Sequence, residues 1–472
     1  ILKDHPIPLQ IATDRPADSF SATGLPPGLS IDPVTGILSG SPTAAGTFGV
    51  TIQASNSAGS RPSVLPLHVK DYTRWGYSSA ITFPGYDDND TFLDFPVYLE
   101  IGPHIPGFSY EQFTSETGYD IRFVGPDGAE ELKYEPVQWN RAGTSAFWVR
   151  VPELKKGTTT VTAIWGNPNA TSQPAYCKDG SIWEHYHAIW HMDGDEPDVI
   201  RESRASLHGT PMKFTSDLRV PGLIGKALSF DGTNDYVDLP LEAHPPGDAK
   251  QLTISFWSYG GDTMPKNSTL LESGSALGRH LNLHHPWSNG YIYWDAGVGP
   301  IDRIQKTDVD FRDKWVHWAF QKDSAIGGMF IYKNGQLWLS GYGRTRPFGS
   351  PVTSFKLGAN RNADGAGNDY YWHGWLDELR ISLDLAPPAA IKAAYLSQNP
   401  EIDFVALAEV QGPPTLMPDQ VVRGFANDVN RTVSHFLQTF PAANDFAAVG
   451  LPAGLTLNAA TGEISGIPVQ GS

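Results

Sequence analysis

Asp377 is the side chain whose placement demands most. It lies in Trp372-His373-Gly374-Trp375-Leu376-Asp377-Glu378-Leu379-Arg380-Ile381, a stretch that reads as a strand. Period-two alternation puts Asp377, Leu379 and Ile381 on one face. Leu379 and Ile381 belong in a core, so Asp377 is expected there too. A buried carboxylate is costly unless it is hydrogen-bonded, paired or bound to a metal. A second group is aromatic: Trp287, Tyr291, Tyr293 and Trp294, then Tyr370, Tyr371, Trp372 and Trp375. Sugar rings stack on such faces while neighbouring Asn, Asp and Arg bond the hydroxyls. His284-His285-Pro286-Trp287-Ser288-Asn289-Gly290 reads as an exposed loop, where binding residues concentrate. Core packing is expected to claim at least half of the rings, since aromatics dominate cores. His185-x-His187 and His191 lack a third zinc ligand at suitable spacing, and no G-x-S-x-G or phosphate loop occurs.

The elements that must position these residues are β-strands. The 472 residues exceed one ordinary domain. Gly 48 and Pro 38 occur without a period, which marks a turn-rich β protein. Cys177 stands alone, so no disulfide can form within the chain. The formal net charge of −17 argues against nucleic acid, which calls for clustered Lys and Arg. No apolar run is long enough to span a bilayer. Lys226-Ala227-Leu228-Ser229-Phe230, then Asp231-Gly232-Thr233-Asn234-Asp235, then Tyr236-Val237-Asp238-Leu239 reads as strand, tight turn, strand. Met329-Phe330-Ile331-Tyr332-Lys333-Asn334-Gly335-Gln336 carries an Asn-Gly hairpin turn, and Pro387 to Leu396 reads as one short helix. Gly24 to Pro42 returns as Gly450 to Pro468 at a constant offset of 426, an internal repeat.

These stretches carry three family resemblances. Phe230-Asp231-Gly232-x-x-Asp235-Tyr236-Val237 and Gly374-x-Leu376-Asp377-Glu378-Leu379-Arg380-Ile381 resemble the two ends of laminin-G-like, concanavalin-type sandwiches. Gly24-Leu25-Pro26-Pro27-Gly28-Leu29 resembles the Ig-like domains repeated in large bacterial surface proteins. Asp120-Ile121-Arg122-Phe123, Phe147-Trp148-Val149-Arg150-Val151-Pro152 and Trp165-Gly166-Asn167-Pro168 resemble an uncharacterised bacterial β-domain family that commonly precedes such a sandwich. The fold expected is all-β, as tandem β-sandwiches. Residues 1–70 form an Ig-like domain, 71–185 the uncharacterised β domain, 186–400 a laminin-G-like jelly-roll sandwich, and 401–472 a second, partial Ig-like domain.

The sandwich resemblance implies that Asp193, Asn234 and Asp235 lie at the same edge as Asp377. Oxygen ligands of this kind suit a structural calcium ion. The alternative is that Asp377 caps backbone N–H groups of the hairpin. Glu401-Ile402-Asp403-Phe404 is similar to the E-x-D-x-x-E strand of laminarinase-type glycosidases, but the third carboxylate falls on Ala406, so the motif is rejected. The expected function is that of a non-enzymatic extracellular or cell-surface protein serving adhesion or structure. Its sandwich is the candidate for carbohydrate binding, through Trp287, Tyr291, Tyr293 and Trp294. The alternative is an accessory region of a polysaccharide-degrading enzyme. Partners would be glycans or neighbouring surface proteins, with neither nucleic acid nor a membrane span. Ile1 aligns with Asn427, so the first copy of the repeat is expected to lack an opening strand and the second its closing strands. That favours a segment of a longer chain over head-to-tail self-assembly by strand exchange. The sandwich is expected to fold by itself.

Overall fold

The computed structural model describes residues 3, 7–69, 71, 75–126, 130–214, 218–308, 310–361, 367–412, 415–416, 433–436, 439–440, 446–448, 451 and 454–466. Its architecture is all-β, in tandem sandwiches. The first sandwich packs Ile7–Gln10, Ile37–Gly40 and Leu29–Ile31 against Ser19–Thr23, Gly46–Asn56 and Gly59–Val69, over Leu38, Val50, Ile52 and Leu67. Gly40 has φ +113, and a Cβ there would meet the Gly28 carbonyl oxygen at 2.2 Å. Gly466 has φ +136 and would meet Gly454 O at 2.1 Å, so the repeat conserves a close backbone crossing that only glycine permits. The three-stranded sheet recurs with it, as Val433–Phe436, Glu463–Gly466 and Leu455–Leu457. The expected opening strand of the second copy, within Pro413 to Val422, lies mostly outside the described residues, though Thr415–Leu416 pairs with Thr439–Phe440, and the end at 467–472 lies outside them.

The second sandwich sets Tyr134–Gln138, Ser145–Leu154 and Phe92–Ile101 against a five-stranded sheet. That sheet runs Glu131–Leu132, Ile121–Val124, Thr160–Trp165, Tyr77–Thr82, Ala406–Leu407. Its last strand comes from beyond the third sandwich. Ala406 and Leu407 pair with Thr82 and Ile81, and Phe404 and Val410 lie in the core beside Phe83 and Tyr86. The segment from Phe404 to Gln411, which sequence reading assigned to the C-terminal Ig-like copy, therefore builds the second module.

The third sandwich faces two large sheets across one core. One runs Arg219–Pro221, Lys226–Asp231, His373–Ser382, Gln251–Gly260, Trp315–Asp323, Gly328–Lys333, Gln336–Gly341, with Ala188–Trp190 also paired to His373–Ser382. The other runs Thr210–Met212, Tyr236–Asp238, Ser354–Leu357, Leu271–Ser275, Gly278–His284, Tyr291–Ala296, Asp302–Thr307. Leu376, Leu379, Ile381, Phe256, Phe320, Trp318, Trp372 and Trp294 fill the space between them. The Asn-Gly hairpin forms between Gly328–Lys333 and Gln336–Gly341.

Strand alternation fails at Glu378, which takes φ +52. Opposite it the pairing slips: Ser255 faces Arg380, but Trp257 faces Asp377. Such a bulge inverts the phase of the strand. Leu376 and Leu379 both enter the core, and Asp377, Glu378 and Arg380 turn to the opposite face. Asp377 is thus buried, at 0% exposure, but not on the face of Leu379 and Ile381 that simple alternation gave. The second module buries it. Glu378 accepts from His191 Nδ1 at 2.7 Å and from Arg380 Nη2 at 2.8 Å, and the Arg380 guanidinium lies 4.5 Å over Trp148 and 5.1 Å over Trp183. The helix Pro388–Gln398 covers the rest of this face. Trp257 Nε1 donates to Gln398 Oε1 at 2.8 Å, Ile391 packs on Ala319 and Tyr332, and Lys392 reaches Asp87 of the second module at 2.8 Å. The second module and the helix therefore cover much of the eight-stranded sheet, with Tyr259, Trp315 and Trp375 half-buried beside them, and the outer face of the seven-stranded sheet carries the candidate site.

Candidate carbohydrate-binding face

Antiparallel register lines up one polar residue from each of six adjacent strands. Asp238 faces Lys356, Lys356 faces Glu272, Glu272 faces Asn282, Asn282 faces Asp295, and Asp295 faces Arg303. At about 4.8 Å per strand the row is about 24 Å long. A parallel row holds His284, Tyr293 and Gln305. The side chains of these rows face away from the core by the same alternation that sends Leu271, Leu281, Leu283, Ile292, Trp294, Ala296 and Ile304 into it.

The row is pre-organised by its own contacts. Arg303 donates from Nε and Nη2 to the two Asp295 oxygens at 2.5 and 2.6 Å, and its guanidinium lies 4.6 Å over the Tyr293 ring. Lys356 pairs with Asp238 and sits 4.7 Å over Tyr236. Ser354 Oγ is 3.0 and 3.2 Å from the two Glu272 oxygens. Burial pushes the Glu272 carboxyl up to about 7, against the pull of Ser354 and of Arg361, Lys356 and Arg279. Asn282 Nδ2 donates to Asn360 Oδ1 at 2.9 Å. At the end of the sheet Trp287 lies 4.5 Å from the His284 ring and 5.0 Å from that of Tyr370. Asn289 Nδ2 donates to Tyr293 Oη at 2.8 Å. Half-buried Trp287, Tyr291 and Tyr293 thus border a row in which Asp238, Lys356 and Arg303 are half-buried and Glu272, Asn282 and Asp295 are buried.

Three of the four rings proposed for glycan contact stand together here. The fourth, Trp294, does not: it is fully buried, donates from Nε1 to Gln321 O at 3.0 Å and packs on Phe320. It alternates with Tyr293, so one of the two had to enter the core. Glu272, Asn282, Asp295, Arg303 and Lys356 were not singled out by sequence. Asp295 could have been, being in phase with Tyr291 and Tyr293.

The residues proposed for calcium do not converge. Asp377 Oδ2 accepts from Leu223 N at 2.9 Å and Ile224 N at 3.0 Å, in the turn between Arg219–Pro221 and Lys226–Asp231. Asp235 Oδ2 accepts from Asp231 N at 3.0 Å, and Asn234 is exposed. That turn lies at the other end of Lys226–Asp231, about 16 Å away for a six-residue strand. Asp193 borders a cleft beside the 222–225 turn, where its charge helps raise the Asp377 carboxyl, while Asn234 and Asp235 stand at the far end of the strand. Among the described residues no three His, Cys, Asp or Glu side chains are grouped to hold a metal ion. The donor set does not fit calcium, and Asp377 instead caps a hairpin, though the one at 222–225 and not the one at 231–235. Asp377→Ala is expected to cost about 1–3 kcal/mol by stranding the buried Ile224 N–H and the half-buried Leu223 N–H. Asp377→Asn, which keeps an acceptor, should be far milder, and chelator should leave the melting temperature unchanged. Equal melting of the alanine variant and wild type would sink this assignment.

Comparison with known proteins agrees with the three architectures. The concanavalin A-like lectin/glucanases superfamily model matches residues 231–392, an Ig domain model matches 5–69 and 425–472, and a domain of unknown function, DUF2341, matches 117–185. This is a multidomain β protein with a concanavalin A-like sandwich. No curated protein matches the chain. The sandwich is similar to domain 4 of AbnA, a GH43 extracellular arabinanase from Geobacillus stearothermophilus, in complex with arabinotriose. That match has 21% identity over 44% of this chain and 96% of the other, with TM-score 0.35. It is also similar to the receptor binding domain of botulinum neurotoxin mosaic serotype C/D, at 14% identity, 45% and 50% coverage, and TM-score 0.35. The binding domain of botulinum neurotoxin DC in complex with rat synaptotagmin II gives 13% identity, 46% and 52% coverage, and TM-score 0.36. The matched region spans about half the length of these toxin domains.

Proposed function

We propose that the concanavalin A-like sandwich binds a glycan chain across the outer face of its seven-stranded sheet, as the ligand-binding part of an extracellular or cell-surface protein without catalytic activity. The supporting observation is the cross-strand row from Asp238 to Arg303 with Trp287, Tyr291 and Tyr293 beside it. The half-buried members of the row, Asp238, Lys356 and Arg303, can meet sugar hydroxyls, with buried Asp295 holding Arg303 from beneath, and flat rings match the apolar faces of the same sugars. The binding role is favoured over hydrolysis by how the carboxylates are held. Glu272 and Asp295 are separated by the strand of Asn282, and both Asp295 oxygens are occupied by Arg303. A retaining pair needs about 5–5.5 Å, less than two strand spacings, and an inverting pair at about 6.5–9.5 Å needs a base free to take a proton from water, which Asp295 held by Arg303 is not. The low cysteine content and acidic surface charge are compatible with an extracellular setting.

A glycan array probed with the whole chain tests this. Trp287→Ala and Tyr293→Ala should each lose most binding, roughly 10–100-fold, at unchanged melting temperature, as expected for anchoring rings. Trp294→Ala should instead melt early, with a loss of about 3–5 kcal/mol. No array signal, or full binding by both surface variants, would overturn the assignment. Release of reducing sugar that disappears in Glu272→Gln would overturn the non-catalytic part.

A further inference from the structure

A second cleft of about 840 Å³ opens where the second module meets the concanavalin A-like sandwich. Val137 and Gln138 come from the former. From the latter come Asp193 to Pro197, Phe214, Leu218 and the hairpin around Arg219 and Lys226. Its size falls in the range of small-ligand sites, which favour domain interfaces. Gly225, with φ +64, takes the left-handed turn at its floor, where a Cβ would be in ordinary contact with Val137 Cγ1 at 3.4 Å and Asp193 Cβ at 3.6 Å.

The charges on its walls fall into two sets. At the rim, Lys226 pairs with Asp195, and Arg201 with Glu196 at 2.5 Å. Deeper, Arg219 and Asp193 face the cleft without bridging each other. Arg219 Nη2 makes a long bond to Val199 O at 3.4 Å, and its Nε and Nη1, both buried, meet no acceptor among the described residues. Asp193 takes a hydrogen bond from its own backbone N–H and none from a side chain among the described residues. Burial pushes Asp193 up and Arg219 down from their ordinary values, so each is held at some cost. Opposite charges that act on each other, both partly desolvated and not directly paired, are a poor structural arrangement. A sugar hydroxyl is donor and acceptor at once and can accept from Arg219 while donating to Asp193. The lining carries three carboxylates against two cations, which disfavours an anionic ligand. Phe214, Leu218, Pro197 and Pro221 supply apolar wall for ring carbons.

We propose that this inter-module cleft is a second saccharide site, for a neutral mono- or disaccharide unit, with Arg219 and Asp193 reading adjacent hydroxyls. It is separate from the sheet face and does not require that face to bind glycan. The test is saturation-transfer NMR on the whole chain with maltose, cellobiose and lactose at millimolar concentration. At least one should show transfer. Arg219→Met, which removes the donors and keeps the stem, should weaken it roughly tenfold or more. Pro197→Trp fills the cleft from its exposed rim without touching a buried charge and should do the same if Arg219→Met misfolds. Tyr293→Ala should leave this signal intact. No transfer from any of the three sugars overturns the proposal, as does transfer that survives Pro197→Trp in the Tyr293→Ala background. Transfer lost in Tyr293→Ala would place the sugar on the sheet face instead.

Discussion

Glu378→Gln is expected to destabilise the protein by about 3–5 kcal/mol, because it leaves buried cations without their carboxylate. The Glu378 side chain has 0% exposure and takes His191 at 2.7 Å on one oxygen and Arg380 at 2.8 Å on the other. Burial acts to raise its pKa, but His191 and Arg380 hold it below the ordinary carboxylate range. For His191 burial acts downward, yet Glu378 and then Glu135, whose Oε1 is 3.5 Å from Nε2, push it up to about 9. The signs define a pH window. Glu378, with a lowered folded value, contributes stability above its ordinary 4.5, and this is lost as the pH falls through the folded value. His191, with a raised folded value, contributes fully below its ordinary 6.5, and this is lost as the pH rises through about 9. Wild type should therefore lose stability between pH 6.5 and 9, and Glu378→Gln should not show that slope. Urea unfolding at both ends of the window reads it. Equal midpoints for variant and wild type at the acid end would mean that water, not protein, surrounds this carboxylate.

What could be read from the chain was what is local. Gly28, Gly40, Gly454 and Gly466 announce the same turn geometry twice because close backbone crossings leave no room for a side chain. The Asp231 to Asp235 turn is legible for the same reason, as Asp231 Oδ1 takes the N–H groups of Thr233, Asn234 and Asp235. Alternation located Asp377 in a strand but misjudged its face, because a single left-handed residue at Glu378 resets the phase. Nothing in the identity of a glutamate signals that. The polar row was hidden for another reason. Its members are dispersed from Asp238 to Lys356 and become neighbours only through the register of six strands, which sequence alone does not specify. Trp294, in contrast, was recoverable: Ile292 and Ala296 flank it in phase.

The return of the chain to the second module was least legible, and it carries the other large prediction. Ala406-Leu407 is too short to read as a strand. It becomes one by completing a sheet whose other strands lie between Tyr77 and Trp165. Without it Tyr77–Thr82 would be an open edge. Ser79 Oγ donates to Ala408 O at 2.6 Å, and Gln411 and Ser78 exchange both backbone hydrogen bonds at 2.8 Å. Phe404 is the anchor, at 2% exposure, with its ring 6.4 Å from Phe83 and 6.5 Å from Tyr86. Phe404→Ala should cost about 3–5 kcal/mol. The loss should appear far away in sequence, as faster amide hydrogen exchange in Tyr77–Thr82 and Thr160–Trp165, while Gly46–Asn56 of the first module stays protected. A chain ended at Leu383 loses this strand together with the helix Pro388–Gln398 and should fail to protect either sandwich, because that helix packs on both. The fragment 186–400, expected from sequence to fold alone, would keep the helix but expose Ile189, Ile224, His191 and Arg380 by losing Trp148 and Trp183. It should melt well below the whole chain. Unchanged exchange at 77–82 in Phe404→Ala would show that the strap is not paired in solution, and the two sandwiches would then be free to hinge. Paired, they keep Val137 and Gln138 of the second module against the hairpin around Arg219 and Lys226, the two walls of the inter-module cleft.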